Sequence, residues 1–342
     1  MSVLQLPKRT LAEVSVHGAG KTSLKELTEQ AREFGSKWHD TYVDNSDAPN
    51  FSLTENMQIQ YVGGGETKTA DITEDAFQQL CTRIGGAPAG YLTKCAENGM
   101  TDLAVQNFQA WAEQYHTPML FREYDGSVRA ALSAQYERYD SWKILKELGY
   151  TIDEQRFEPV QVHLSPERFT ARFVDYTPLK VSNDKSEMFA GFSVSSSDVG
   201  DGGLKIVFFL YRFVCRNGML IPSSNGVAYR GSHRGQEMRM SKIASFSGVF
   251  NSIDTVIEEI PAQISAKQHK LSSVDLKYLL ATAKAKVRMT DENAQAVTNL
   301  IGTVYPQTEW GFMNAVTEAA QNYELERRME LEQFAGGLLV QR

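Results

Sequence analysis

The residues whose types and spacing could do chemistry lie between Lys205 and Lys242. Lys205, Arg212, Arg216, Arg230, Arg234, Arg239 and Lys242 set seven cations against one anion, Glu237. That segment carries +6 in a chain of net charge −7, so the remainder carries −13. A groove that tracks phosphates requires this kind of segregation, because each neutralised phosphate releases condensed counterions. Tyr211, Tyr229 and Phe246 lie among the cations, and an aromatic face stacks on an unpaired base for about 1–3 kcal/mol. His233 adds a ring that can stack or hydrogen-bond. Gly226, Gly231, Ser232 and Gly235 give the loop Ser223–Gly235 the freedom to close over a strand. Upstream, Arg122, Arg129 and Arg138 with Tyr136 and Tyr139 form a second basic and aromatic set. The plainer reading of the same arginines is that they face water or pair with carboxylates, Arg212 simply bridging a sheet and a helix.

Other chemistries find less support. Gly18-Ala19-Gly20-Lys21-Thr22 resembles the end of a phosphate-cradling loop, but Ser15 stands where the first glycine is needed. Val14–Val16 is the one strand candidate before it, with no obvious sheet partner nearby. A glycine-rich turn ahead of a helix is the simpler account. There is no Gly-x-Ser-x-Gly, and the six histidines are scattered. Asp140, Asp175 and Asp198 are carboxylates that a metal-dependent nuclease would have to bring together, but spacing alone does not converge them. Cys81, Cys95 and Cys215 match neither a disulfide framework nor zinc-ligand spacing and read as buried thiols. No catalytic residue, metal site or cofactor is therefore assigned.

The elements that must position these residues change along the chain. With 42% hydrophobic and 23% charged residues, the 342-residue chain has a globular composition and the length to bury a substantial core. Residues 1–50 read as a peripheral segment, with a helix at Ser23–Phe34 and a linker at Asp44–Asn50. Thr73 caps a helix bearing Ala76, Phe77, Leu80 and Ile84 at helical spacing, and a further helix covers Asp102–Tyr115. Met119–Glu123 and Ser127–Leu132 flank an Asp-Gly pair, a hairpin signal. Val160–Leu164, Phe169–Val174, Met188–Ser195 and Leu204–Val214 are further strands, and the alternation in Phe169–Val174 predicts one solvated face. Beyond residue 240 the apolar spacing is helical, Thr308 caps a helix over Glu309–Tyr323, and Gly336-Gly337 marks a loose end. The fold class is α+β: a mainly antiparallel central sheet flanked by helices in residues 51–240, then a helical region over residues 241–342 packing on it. Met1–Thr10 precedes no apolar stretch of signal-peptide type, and the apolar run from Ile206 is too short to span a bilayer. The expected location is the cytoplasm of a bacterial host, with no membrane partner.

Several blocks resemble a known family. Asp125-Gly126-Ser127-Val128-Arg129-Ala130-Ala131-Leu132-Ser133 with Tyr136 and Asp140 is one, and Tyr211-Arg212-Phe213-Val214-Cys215-Arg216-Asn217-Gly218-Met219 is another. Arg230 with His233, Trp310–Glu318, and Ala76, Gln79–Cys81, Pro88 and Tyr91-Leu92 complete the set, over about residues 70 to 325. Together they resemble phage- and plasmid-like proteins grouped as a bacterial domain-of-unknown-function family. The resemblance implies a mobile-element protein and, by analogy, phage recombination in the manner of single-strand annealing proteins, which hold DNA along an oligomer without a catalytic residue. The resulting expectation is an oligomeric single-stranded DNA-binding protein. Lys205, Arg212, Arg216, Arg230, Arg234, Arg239 and Lys242 would contact phosphate, Tyr229 and His233 the bases, and Arg129 and Arg138 would extend the track. The alternatives are an interaction protein that inhibits a host defence component, and a metal-dependent nuclease or nucleotide-processing enzyme.

Overall fold

The computed structural model describes residues 14–17, 23–154, 156–175, 177–181, 184, 186–212, 217–222, 229–231 and 242–341. In chain order the elements are β1 (Val14–His17), α1 (Leu24–Gly35), β2 (Trp38–Val43), β3 (Phe51–Leu53), β4 (Ile59–Gly63) and β5 (Glu66–Ile72). Then come α2 (Glu74–Arg83), α3 (Ala89–Glu97), α4 (Thr101–Ala112), β6 (Met119–Tyr124), β7 (Ser127–Ser133) and α5 (Ser141–Leu148). The strands β8 (Phe157–Leu164), β9 (Phe169–Asp175), β10 (Met188–Ser196), β11 (Leu204–Arg212), β12 (Asn217–Ile221) and β13 (Tyr229–Gly231) follow. Last are α6 (Lys242–Ala266), α7 (Ser273–Val287), α8 (Asp291–Leu300), α9 (Glu309–Ala319) and α10 (Leu325–Val340). The class is α+β, with a helical C-terminal region as the periodicity requires.

Local signals set the element boundaries. Ser23 and Glu26 close a reciprocal capping box on α1, and the Thr73 and Thr308 hydroxyls accept from the backbone N–H of Ala76 and Gly311 to start α2 and α9. Asp125 (φ 51°) and Gly126 (φ 78°) both adopt positive φ, which matches the twist of the β6–β7 hairpin.

The strands form two sheets rather than the one central sheet expected. One runs β2-β6-β7-β5-β4-β3 and the other β1-β8-β9-β10-β11-β12, with β13 also on β11. Pairing is antiparallel except for a two-residue parallel contact of β5 with β7. Each sheet has its own core. Helices α2, α3 and α4 cover the first through Phe77, Leu80, Leu92 and Phe108. The second packs Phe173, Phe192, Phe208 and Leu210 against α1, α5 and the C-terminal helices. The first 50 residues, read as peripheral, supply β1 to the second sheet, β2 to the first, and Leu24, Leu27 and Phe34 to the larger core. The polar stretch 44–50 is a turn from β2 to β3 within one sheet, tied down by Asn45, which is buried and donates to the Thr117 carbonyl at 3.0 Å. Cys81 and Cys95 are free, buried thiols, and burial pushes Cys81 up to about 12. Cys215 and Gly18–Thr22 lie outside the described residues, and no described helix is long and apolar enough to cross a membrane.

Two expectations need correcting. β9 has no solvated face, because every residue from Phe169 to Asp175 is buried. Its alternation is real: Phe169, Ala171 and Phe173 face the larger core, and Thr170, Arg172 and Val174 face the opposite side. That second side is covered by α10, whose Met329 joins Val174, Phe209 and Leu220 in a smaller apolar cluster. Nor do Gly336 and Gly337 end the last helix, for both lie inside α10. A Cβ at Gly336 would sit 2.0 Å from the Leu220 carbonyl oxygen, so the glycine lets the helix lie directly on β12.

Candidate functional site

The described cations of the basic segment are placed by β11, β13 and the start of α6. Arg212 ends β11 with its guanidinium over the Tyr305 ring at 5.3 Å. Its Nη1 donates to Asn314 Oδ1 at 3.1 Å, and its Nη2 lies 3.5 Å from Asp184 Oδ1. Burial pushes the Asp184 carboxyl up, but hydrogen bonds from Ser186 and Trp310 and the Arg212 charge outweigh it and hold the pKa low. Arg212 therefore bridges sheet and helix. Tyr229 is half-buried and sets its ring edgewise 6.4 Å from Phe246, within the larger core. Lys205 stands opposite Arg230 in the β11–β13 register. Arg230 and Lys242 are placed by backbone alone, in β13 and at the start of α6. Arg216, His233, Arg234 and Arg239 lie outside the described residues.

The upstream set sits elsewhere. Arg129 reaches Glu167 at 3.0 Å and Arg138 reaches Asp40 at 2.8 Å. Both border a buried cluster around Arg122, which is 1% exposed and lies over the Trp38 ring at 4.6 Å. Arg122 donates to Asp40 Oδ1 at 2.8 Å, Asp140 Oδ1 at 2.9 Å and the Asp198 carbonyl at 2.8 Å. These bonds tie β6 to the β10–β11 connection, and so join the two sheets. Burial raises Asp140, but Arg122 and Lys143 more than reverse that and keep it below the usual carboxylate range. Asp198 is buried too, its Oδ1 accepts no hydrogen bond, and burial pushes it up to about 7 against the pull of Arg122.

A pH dependence follows. The Asp198 folded-state pKa lies above its ordinary 3.8, so the folded chain holds a proton that the unfolded chain has released, and stability falls as pH rises from about 4 to 7. Asp198→Asn is expected to raise stability at pH 8 by about 1–3 kcal/mol and to leave it nearly unchanged at pH 4. Urea unfolding at the two pH values measures this, and an identical pH slope in both proteins would refute it.

A cavity on the second face of β9 escaped the sequence reading. The register aligns His163, Thr170, Ser195 and Lys205 in one row across β8 to β11, and Gln161, Arg172, Ser193 and Val207 in the next. α10 crosses these rows, and a cavity of about 230 Å³ remains between its start and the sheet, lined by Gln161, His163, Thr170, Arg172, Tyr323 and Arg328 among others. Arg172 (1% exposed) grips Glu332 (fully buried) with both terminal nitrogens. Arg328 Nε donates to the same carboxylate at 2.8 Å, and both arginines donate to Gln161 Oε1, at 2.8 and 3.1 Å. Burial pushes the Arg172 pKa down, Glu332 works against that, and Arg328 adds to it. The Arg328/Glu332 spacing of four residues was the one local signal for this site. A shallower groove of about 720 Å³ runs along the outer side of α10, where Lys286, Arg288 and Arg327 outnumber Glu330.

Residues 168–335 match the family model for a domain of unknown function, DUF932. That stretch takes in the Tyr211–Met219 and Trp310–Glu318 blocks and the Arg172–Glu332–Arg328 group, while the blocks at Ala76–Leu92 and Asp125–Asp140 precede it. Comparison with curated proteins gives no match, and neither does comparison with solved structures. From β9 to the last helix, then, the chain is similar to a family defined by its sequence, and its chemistry has to be argued from its own residues.

Proposed function

We propose that this chain is a non-enzymatic, single-stranded DNA-binding protein of a phage or plasmid, acting as an oligomer that anneals complementary strands. The observation that carries the reading is the β11–β13 register, which sets cationic position 205 opposite cationic position 230. Cationic positions side by side on neighbouring strands supply the adjacent phosphate contacts that a polyanion would use. In sequence, Arg234 and Arg239 follow Arg230 and precede Lys242, where α6 starts. The open groove with exposed Lys286 and Arg288 adds positive charge within the DUF932-like stretch. The −13 carried by the rest of the chain would repel DNA from other surfaces and favour the basic ones.

Fluorescence anisotropy with a labelled oligothymidine tests this. For single strands the slope of log K against log salt is roughly −0.7 per phosphate contact, so four contacts would cost about 50-fold in affinity between 50 and 200 mM salt. Arg230→Glu with Arg234→Glu is the chosen variant, because Arg212 already holds Asp184 and its loss would perturb the fold. The pair is expected to weaken binding more than tenfold and to flatten the slope. Salt-independent binding, or unchanged affinity in a variant with wild-type circular dichroism, would count against the reading. Mass measurement with and without DNA reports the oligomer.

A further inference from the structure

We propose that the cavity between β8, β9 and the start of α10 is a binding site for a single phosphate-type oxyanion, with Arg328 as its principal ligand. Arg172 and Arg328 share one carboxylate, Glu332, so the group carries one surplus positive charge while Arg172 and Arg328 are 1% and 10% exposed. A buried charge without a counterion costs several kcal/mol, and the cavity is where a counterion fits. The hydrogen bonds tell the same story. Arg328 commits Nε to Glu332 and Nη2 to Gln161, leaving Nη1 with no partner among the described residues. Arg172 Nε is buried with no hydrogen-bond partner.

The remaining lining suits the same ligand class. Tyr323 brings a hydroxyl to the lining, and Thr170 a second one that also lies 3.9 Å from Met329 Sδ. α10 starts at Leu325, which also lines the cavity, and no side chain caps that end, so its first backbone N–H groups face an anion-favouring position. The guanidinium fork favours carboxylate or phosphate oxygens over a spherical anion such as chloride. A space of about 230 Å³ has room for a phosphate group with ordered water beside it. The phosphate is either free inorganic phosphate or the terminal phosphate of a chain whose remainder stays outside. This inference does not depend on the DNA reading.

The test is thermal unfolding of the full chain with sodium phosphate against sodium chloride at equal ionic strength, and then with 5′-phosphorylated and 5′-hydroxyl dithymidylate. Phosphate is expected to raise the midpoint saturably and chloride to leave it unchanged. An equal response to inorganic phosphate and the phosphorylated dinucleotide, with none to the hydroxyl form, would assign a terminal-phosphate site; a response to inorganic phosphate alone would assign the free ion. Arg328→Met removes the surplus charge and leaves Arg172 and Glu332 balanced, so the ligand-free variant is expected to fold while its affinity for phosphate falls about tenfold or more. Arg328→Lys, which keeps the charge and loses the fork, is expected to fall in between. A wild-type protein indifferent to 10 mM phosphate, or an Arg328→Met protein with the wild-type response, would overturn the assignment.

Discussion

Replacing Glu332 with Gln is expected to lower stability by about 3–5 kcal/mol, one of the two largest effects of any single change proposed for this chain. Glu332 is fully buried and is the carboxylate on which both Arg172 and Arg328 close. The amide keeps the shape and loses the charge, so two guanidiniums remain under α10 with no anion between them. Removing one partner of a buried pair costs far more than the pair contributes, because the desolvation of the survivor is no longer offset. The compensated variant isolates that reason. Arg172→Met, Glu332→Leu and Arg328→Met together take every charge out of the group and are expected to restore most of the loss. Urea midpoints of the two variants make the comparison. A Glu332→Gln protein within 1 kcal/mol of wild type would show that the triad is not what fixes α10 on the sheet.

Arg122→Met is the second, with an expected loss of about 3–5 kcal/mol at pH 8. Arg122 is where Asp40, Asp140 and the Asp198 carbonyl meet, and the only route by which β6 holds the β10–β11 connection through a charged group among the described residues. Without it Asp40 keeps Arg138 and Asp140 keeps Lys143, both nearer the surface. Asp140 loses the charge that most opposes its burial, and Asp198, already pushed up to about 7, loses the one that pulls it down most. Both carboxyls then favour protonation in the folded state more than before, so the defect is expected to shrink as pH falls from 8 to 5. A loss of equal size at both pH values would mean that packing on Trp38, not charge, is the main contribution of Arg122.

The buried networks also explain why the site was only partly legible from residue order. An arginine in an alternating strand reads equally as facing water or as pairing with a carboxylate, and the sequence does not say which carboxylate. Arg122, Arg129, Arg172 and Arg212 all meet carboxylates on other elements: Arg122 lies 82 positions from Asp40 and Arg172 lies 160 from Glu332. Nothing in the local pattern announces those partners. The β11–β13 pairing of positions 205 and 230 was likewise hidden, because β12 lies between the two strands in the chain and pairs with β11 as well.

What the sequence determined by itself is local. Ser23, Thr73 and Thr308 cap the helices they precede, Asp125-Gly126 turns the hairpin, and the switch from two-residue to 3.6-residue periodicity near residue 240 separates strands from the C-terminal helices. Those features depend on backbone conformations and hydrogen bonds a few residues apart. Tertiary structure alone decided that the strands divide into two sheets, that the first 50 residues feed both, and that α10 covers the second face of β9. Periodicity says which side chains share a face; what comes to lie on that face depends on a segment 160 residues away, and with it whether Arg172 meets water or an ion pair in a cavity.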